Sequence, residues 1–234
     1  LLIAMASQHP REDDARIDLL DLSVASRAQL RFGDPTTEIL REVAEGGHDL
    51  VVMSTRGQTW ISRFFLGSVA DRVLQFSPVP LLLFRQMMGS DETLSSVETG
   101  EAARFKRLLV VLDGLKPAEE ILPMAEGVAR AFGSELHLFG AIFGGSQEAA
   151  RRREAEECFK NCAVSLAARG VVSHVHVRTG KVAEEALTLI HEHALDSVAL
   201  MTHRRSGLAH AIHGSVAQRL IRESGVPVLV SGLS

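Results

Sequence analysis

The sequence predicts the α/β class, with two doubly wound parallel-sheet domains in tandem, and three observations carry that reading. The segment from Gly33 to Leu83 reappears without a gap from Gly180 to Val230, a constant shift of 147 positions that also carries Gly67 onto Gly214 and Pro80 onto Pro227. Short apolar runs alternate with stretches of helical periodicity, the pattern of parallel strands buried on both faces and joined by crossover helices. Each copy also places a Gly-Ser step (Gly67-Ser68, Gly214-Ser215) at the start of a predicted helix, followed by a Val-Pro pair that opens an apolar strand. Free amide N–H groups and the positive helix end converge at such a step, which suits it to holding an anion.

The second copy reads as complete. Arg107 to Asp113 is a continuous apolar run closed by a carboxylate, the mark of a doubly buried strand. Pro117 to Phe132 places Ile121, Leu122, Met124, Ala125, Val128 and Ala129 at helical spacing and ends at Gly133, a natural C-cap. A strand from Glu135 to Phe143, a long charged helix from Gln147 to Ala168 closed by Gly170, and a strand from Val171 to Arg178 follow. A helix from Val182 to His193, a strand from Ser197 to Thr202, a helix from Gly214 to Glu223 and a strand from Val226 to Val230 complete the unit. Right-handed crossovers then place any ligand outside the carboxyl ends of the strands, near a switch in strand order.

Matched to this pattern, the first copy supplies a strand from Ala28 to Phe32, a helix from Pro35 to Glu45, a strand from Asp49 to Ser54, a helix from Gly67 to Phe76 and a strand from Val79 to Phe84. Upstream, Leu1 to Ala6 reads as the second strand and a short helix is expected near Ala15 to Leu22, leaving the first strand and first helix without a counterpart. Because a first strand is usually central, its loss would strip ladder hydrogen bonds from its neighbours, so the sequence reads as starting within a fold. Residues 87–104, polar, acidic and without periodicity, read as a linker between a first domain over 1–86 and a second over 105–234.

Composition narrows the function. A net charge of −4 argues against a general nucleic-acid binder, and no apolar run approaches the roughly 20 residues that cross a bilayer. Cys158 and Cys162, four apart on a predicted helix, read as small half-buried side chains in a reducing cytoplasm, with a redox or metal role as the alternative. The histidines, among them His203, His210 and His213 around the second loop and His191 with His193, lack an accompanying cysteine or acidic cluster, so no metal site is expected. Asp113 is paired with no nucleophile signature, and no catalytic residue is assigned. Trp60, Phe64 and Phe65 are read as packing their loop onto its own domain, with a partner patch as the alternative. Neither a dinucleotide fingerprint nor a P-loop occurs.

Taken with the Gly33-Asp34-Pro35 start of the third helix, the Asp49-Leu50-Val51-Val52-Met53 run and the Val-Pro strands, these residues resemble a tandem member of the universal stress protein family. The family's loop reads Gly, two residues, Gly, nine residues, then Gly-Ser or Gly-Thr. Its nine-residue spacer lies between Gly57 and Gly67 in the first copy and between Arg204 and Gly214 in the second. Both copies depart from the pattern: Ser54 stands for the leading glycine of the first, and Met201 and Arg204 replace both early glycines of the second. Glycine matters there because a missing Cβ lets the backbone approach phosphate oxygens.

The resemblance implies a Rossmann-like fold akin to the adenine-nucleotide α-hydrolases. It also implies a stress-response protein that binds ATP or AMP, with or without Mg2+ and without efficient turnover, as a sensor or regulator. The nucleotide contacts it implies are Ser54, Thr55, Gly57, Gly67, Ser68 and Val69 in the first copy. In the second they are Asp113 and Ala141 for adenine, then Thr202, Arg204, Gly214, Ser215 and Val216. The better phosphate loop thus belongs to the copy without its adenine half. The resemblance further implies that Val79 to Phe84 and Val226 to Val230 meet edge to edge across a pseudo-twofold axis and that two chains dimerise. A nucleotide-free scaffold with decayed loops, and a slow ATP hydrolase, are the alternatives.

Overall fold

The apolar runs of the sequence assemble into a single sheet of eight strands, seen in a computed structural model that describes residues 2–3, 29–54, 67–84, 105–112, 118–202 and 215–232. In chain order the elements are β1 (Leu2–Ile3), α1 (Pro35–Gly46), β2 (Val51–Ser54), α2 (Ser68–Phe76), β3 (Leu81–Phe84), β4 (Arg107–Val111), α3 (Ala118–Phe132), β5 (Glu135–Ile142), α4 (Glu148–Ala168), β6 (Ser173–Thr179), α5 (Val182–Glu192), β7 (Ser197–Thr202), α6 (Ser215–Glu223) and β8 (Val228–Gly232). The strand order is β1-β2-β3-β8-β7-β4-β5-β6, and every neighbouring pair is parallel except β3 with β8. The fold is α/β and Rossmann-like, with helices on both faces.

The two copies are alike down to individual contacts. Gly33 and Gly180 take φ of +146° and +147°, and a Cβ on either would press on the carboxylate side chain five residues ahead, Glu38 or Glu185. Arg31 and Arg178, equivalent positions, approach those same glutamates at 3.6 and 3.7 Å. Proline lacks an N–H but keeps its carbonyl. Accordingly Pro80 accepts from the Val51 amide at 3.0 Å and Pro227 from the Val198 amide at 2.9 Å. Asp34 caps α1 by accepting from the Thr37 amide, with proline in the first turn and Gly47 in the left-handed conformation after the last. The Thr37 hydrogen bonds hold the Asp34 carboxyl below its ordinary range.

Where the copies meet, β3 and β8 pair antiparallel with Leu81 opposite Val230, Leu82 opposite Leu229 and Leu83 opposite Val228. Leu82 and Leu229 occupy equivalent positions of the repeat, so the local twofold axis passes between them. The expected edge-to-edge pairing is present, and it merges two parallel sheets into one. One core lies on the face covered by α1, α2, α5 and α6, running from Val43, Val73 and Leu83 of the first copy to Leu220 and Val230 of the second. The other lies under α3 and α4, around Leu108, Leu138, Phe159 and Leu166. At Gly140 of β5, a Cβ would stand 2.7 Å from the Phe159 ring, so glycine is what lets α4 close onto the sheet.

Two expectations for the first copy are corrected. Leu2–Ile3 pairs with β2, with Leu2 opposite Val51, whereas β4 holds the equivalent place in the second copy, with Leu109 opposite Val198. This piece therefore occupies the first-strand slot rather than the second: the slot beside β2 carries an open ladder that any apolar extended segment can fill. Residues 29–32, expected as part of a third strand, join no ladder, and Leu30 and Phe32 are exposed. The equivalent β6 pairs only with β5, and no β5 counterpart stands beside this stretch among the described residues, so it joins no sheet there. The predicted helix near Ala15 to Leu22 and the linker over 87–104 lie outside the described residues.

Candidate functional site

The chain order fixes where a ligand crevice must lie. From β4 the chain runs through β5 to β6 on one side of the sheet, then returns to β7 on the other side of β4, so strand order reverses between β4 and β7. In such a sheet a ligand binds outside the carboxyl ends of the strands at this reversal, here β4 and β7. Leu112 extends β4 by one residue, its amide donating to the Phe139 carbonyl at 2.8 Å. Thr202 ends β7, half-exposed, its hydroxyl 3.5 Å from the Ser231 carbonyl of β8. Ser215 opens α6 and is exposed, while Val216 beside it packs partly onto the core. Ala141 lies on β5 two residues beyond Phe139, whose register partner is Val111, so it too faces the carboxyl end of this half.

In the first copy the same stations are Ser54 at the end of β2, then Gly67, Ser68 and Val69 at the start of α2. Gly67 is the N-cap of α2, with φ −56° and ψ 144°, and supplies no side-chain cap, while its carbonyl accepts from the Asp71 amide at 2.9 Å. Ser68 is exposed and Val69 half-buried, and because α2 links the parallel strands β2 and β3 its first turn lies at the carboxyl edge. Ser54 and the Gly67-Ser68-Val69 turn thus lie at the carboxyl ends of the first half's strands, and Thr202, Ala141, Ser215 and Val216 toward those of the second. Thr55, Gly57, Asp113, Arg204 and Gly214 lie outside the described residues, as do Trp60, Phe64, Phe65, His203, His210 and His213.

Ion pairs hold the two site helices against their neighbours. Arg219 of α6 reaches Glu184 of α5 at 3.1 Å and Glu223 at 3.0 Å, and Lys181 adds a contact to Glu184 at 3.2 Å. Hydrogen bonds from Arg219 and Lys181 hold the Glu184 carboxyl low, those from Arg222 and Arg219 hold Glu223 low, and Glu223 and Glu184 raise Arg219 in return. At the equivalent position Arg72 of α2 lies 3.8 Å from Asp34 at the head of α1. Exposed pairs of this kind set helix placement more than stability.

A sequence profile described as the Universal stress protein family matches residues 4–85 and 104–231, together most of the chain. The chain belongs to the universal stress protein family. It is 36% identical over 63 residues to a universal stress protein of Methanothermobacter thermautotrophicus, which covers 27% of this chain and 42% of that one. It is 24% identical over 192 residues to a universal stress protein of Synechocystis, covering 80% of this chain and 59% of the relative. The chain thus spans less than two thirds of the length of these curated relatives. Among solved structures it is similar to a universal stress protein from Archaeoglobus fulgidus, at 28% identity and a TM-score of 0.64 over 86% of this chain and 67% of that one. A putative universal stress protein from Pseudomonas aeruginosa shares the fold, at 18% identity and a TM-score of 0.63 over 86% of this chain and 69% of that one.

One constellation escaped the sequence reading. His137 on β5, His174 and His176 on β6 and His193 after α5 pack ring against ring, with centroids 4.8 to 5.5 Å apart. His-Val-His over 174–176 marks one face of a strand, yet its coming together with His137 depends on a register that no local pattern reveals. Burial first, and the neighbouring basic side chains after it, drive the His137 and His176 rings from their ordinary 6.5 down to about 4. Cys158 and Cys162 are half-buried against the core beneath α4, in keeping with small packing side chains.

Proposed function

We propose that this member of the universal stress protein family binds an adenine nucleotide, ATP or AMP with or without Mg2+, without efficient turnover, and acts as a cytoplasmic sensor or regulator, two chains forming a dimer. The observation that carries the reading is the opening of α6 at the switch between β4 and β7. An exposed serine and first-turn amides stand there beside the ends of two parallel strands. Such a helix end attracts phosphate at about 0.3–1 kcal/mol per charge, whereas micromolar binding needs about 8 kcal/mol. The remainder has to come from adenine packed near Ala141, with Asp113 and the loop residues Arg204 and Gly214 as further contacts. We place the primary site in the second copy, because β4, β5, β7 and α6 are all present around its crevice. Ser54, Thr55, Gly57, Gly67, Ser68 and Val69 form the weaker counterpart.

The replaced glycines, Ser54, Met201 and Arg204, favour a second reading, a nucleotide-free scaffold. Mass spectrometry of the denatured purified protein and calorimetry with MgATP separate the two. Co-purified or titratable adenine nucleotide, lost in Ser215→Asp and retained in Ser68→Asp, supports the proposal. An aspartate in the first helical turn suits the positive helix end and repels phosphate. A protein that carries no nucleotide and ignores MgATP is the scaffold, and the reverse pattern of the two variants moves the site to the first copy.

A further inference from the structure

Glu135 opens β5 and His174 lies second in β6, so their side chains stand at the amino ends of these strands, the opposite edge of the sheet from the crevice above. Register places His137 opposite His174, between it and Leu109 of β4, and strand alternation puts His176 on the same face. One donor atom each from Glu135, His137 and His174 lie within 4.8 Å of one another. His137 is only 5% exposed, and its Nε2 is buried with no hydrogen-bond partner among the described residues. Its Nδ1 lies 3.0 Å from Nε2 of His176. With the proton on Nδ1 donated to His176, Nε2 of His137 presents a bare lone pair. A buried acceptor of this kind is satisfied by a proton donor or by a cation, and none of the described residues offers the donor.

We infer that Glu135, His137 and His174 form a binding site for a divalent transition-metal ion of zinc type, with His176 as the outer partner that sets the His137 tautomer. The donor set is one carboxylate and two imidazoles, which leaves a fourth tetrahedral position for water. Donor atoms in a tetrahedral zinc site stand about 3.3–3.5 Å apart, so the three must draw together. His174 and Glu135 can do so, because their side chains are 48% and 51% exposed and already 3.6 Å apart, while the buried His137 stays fixed. His193 meets the His176 ring edge to face and lies 5.5 Å from His137 as well, centroid to centroid. Arg107, bound to the His193 carbonyl at 3.0 Å, opposes a cation, and the Glu135 carboxylate offsets it.

The test uses the full chain, stripped with chelator and titrated with Zn2+, and Co2+ as an optical probe of tetrahedral nitrogen and oxygen ligation. The expected result is one equivalent bound, weakened at least about tenfold by His174→Gln or Glu135→Gln, and about tenfold to a hundredfold by His176→Gln acting through His137. A variant lacking His203, His210 and His213 should bind as the parent does. Absence of stoichiometric binding, or binding lost in that triple variant and unchanged in His174→Gln, overturns the inference. Nucleotide binding is read separately, since the two sites lie at opposite edges of the sheet.

Discussion

At the residue scale the clearest constraints are steric and protonic. Gly140 has no room for a side chain beneath the buried Phe159 ring, whereas a Cβ at Gly127 of α3 meets nothing within 4 Å. Gly140→Ala should therefore cost about 1–3 kcal/mol, while Gly127→Ala in a helix interior should stabilise by about 0.5–1 kcal/mol, both read by urea denaturation. The histidine pair gives a pH signature. Folded His137 and His176 titrate near 4 rather than 6.5, so between these values the unfolded chain holds protons that the folded chain refuses. Their contribution is complete above about pH 6.5 and is lost as pH falls toward 4. In chelator-treated protein, the fall in denaturation midpoint across that window should flatten in His176→Gln; an unchanged slope would show that the pair does not titrate this way.

At the element scale, local chemistry places the helices and sheet pairing decides the rest. Asp34 and Pro35 start α1, Gly67-Ser68 starts α2 and Ser215 opens α6, all legible in the sequence because caps and turns act within a few residues. Strand neighbours were not legible. Leu1 to Ala6 was apolar enough to be a strand, yet only the open ladder beside β2 determines which one. Residues 29–32 carry a strand-like pattern but need a strand neighbour, which the described residues of their half do not provide. The twofold axis between Leu82 and Leu229 sharpens this. The two side chains face the same layer, but Leu229 is 4% exposed while Leu82 is only partly buried against that core. Leu229→Ala should cost about 2–5 kcal/mol and Leu82→Ala less, measured by the same denaturation. Equal losses would mean that the two halves are covered alike.

At the scale of the whole molecule, the antiparallel junction makes β8 a strand of both halves, hydrogen-bonded to β3 on one side and β7 on the other. Leu229→Pro removes a ladder donor from this shared strand and should cost about 3 kcal/mol or more. Amide hydrogen exchange should then show protection falling in β2 and β7 together; β2 keeping its protection would mean that the halves are stable independently. The same junction sends the carboxyl ends of the two halves to opposite edges of the sheet, so the two proposed nucleotide stations face away from each other.

What the sequence by itself determined is what repeats and periodicities can encode. It fixed the duplication, the alternation of buried strands with crossover helices, the helix starts, and the family through its loop spacing and Val-Pro strands, because each of these is written over a few neighbouring residues. The tertiary structure alone decided which strands are neighbours. It placed Leu2–Ile3 beside β2, left residues 29–32 outside the sheet, and gathered His137, His174, His176 and Glu135 from two strands onto one face. Register and strand order are properties of distant segments meeting, and hydrogen bonding between strands carries no trace in either segment taken alone.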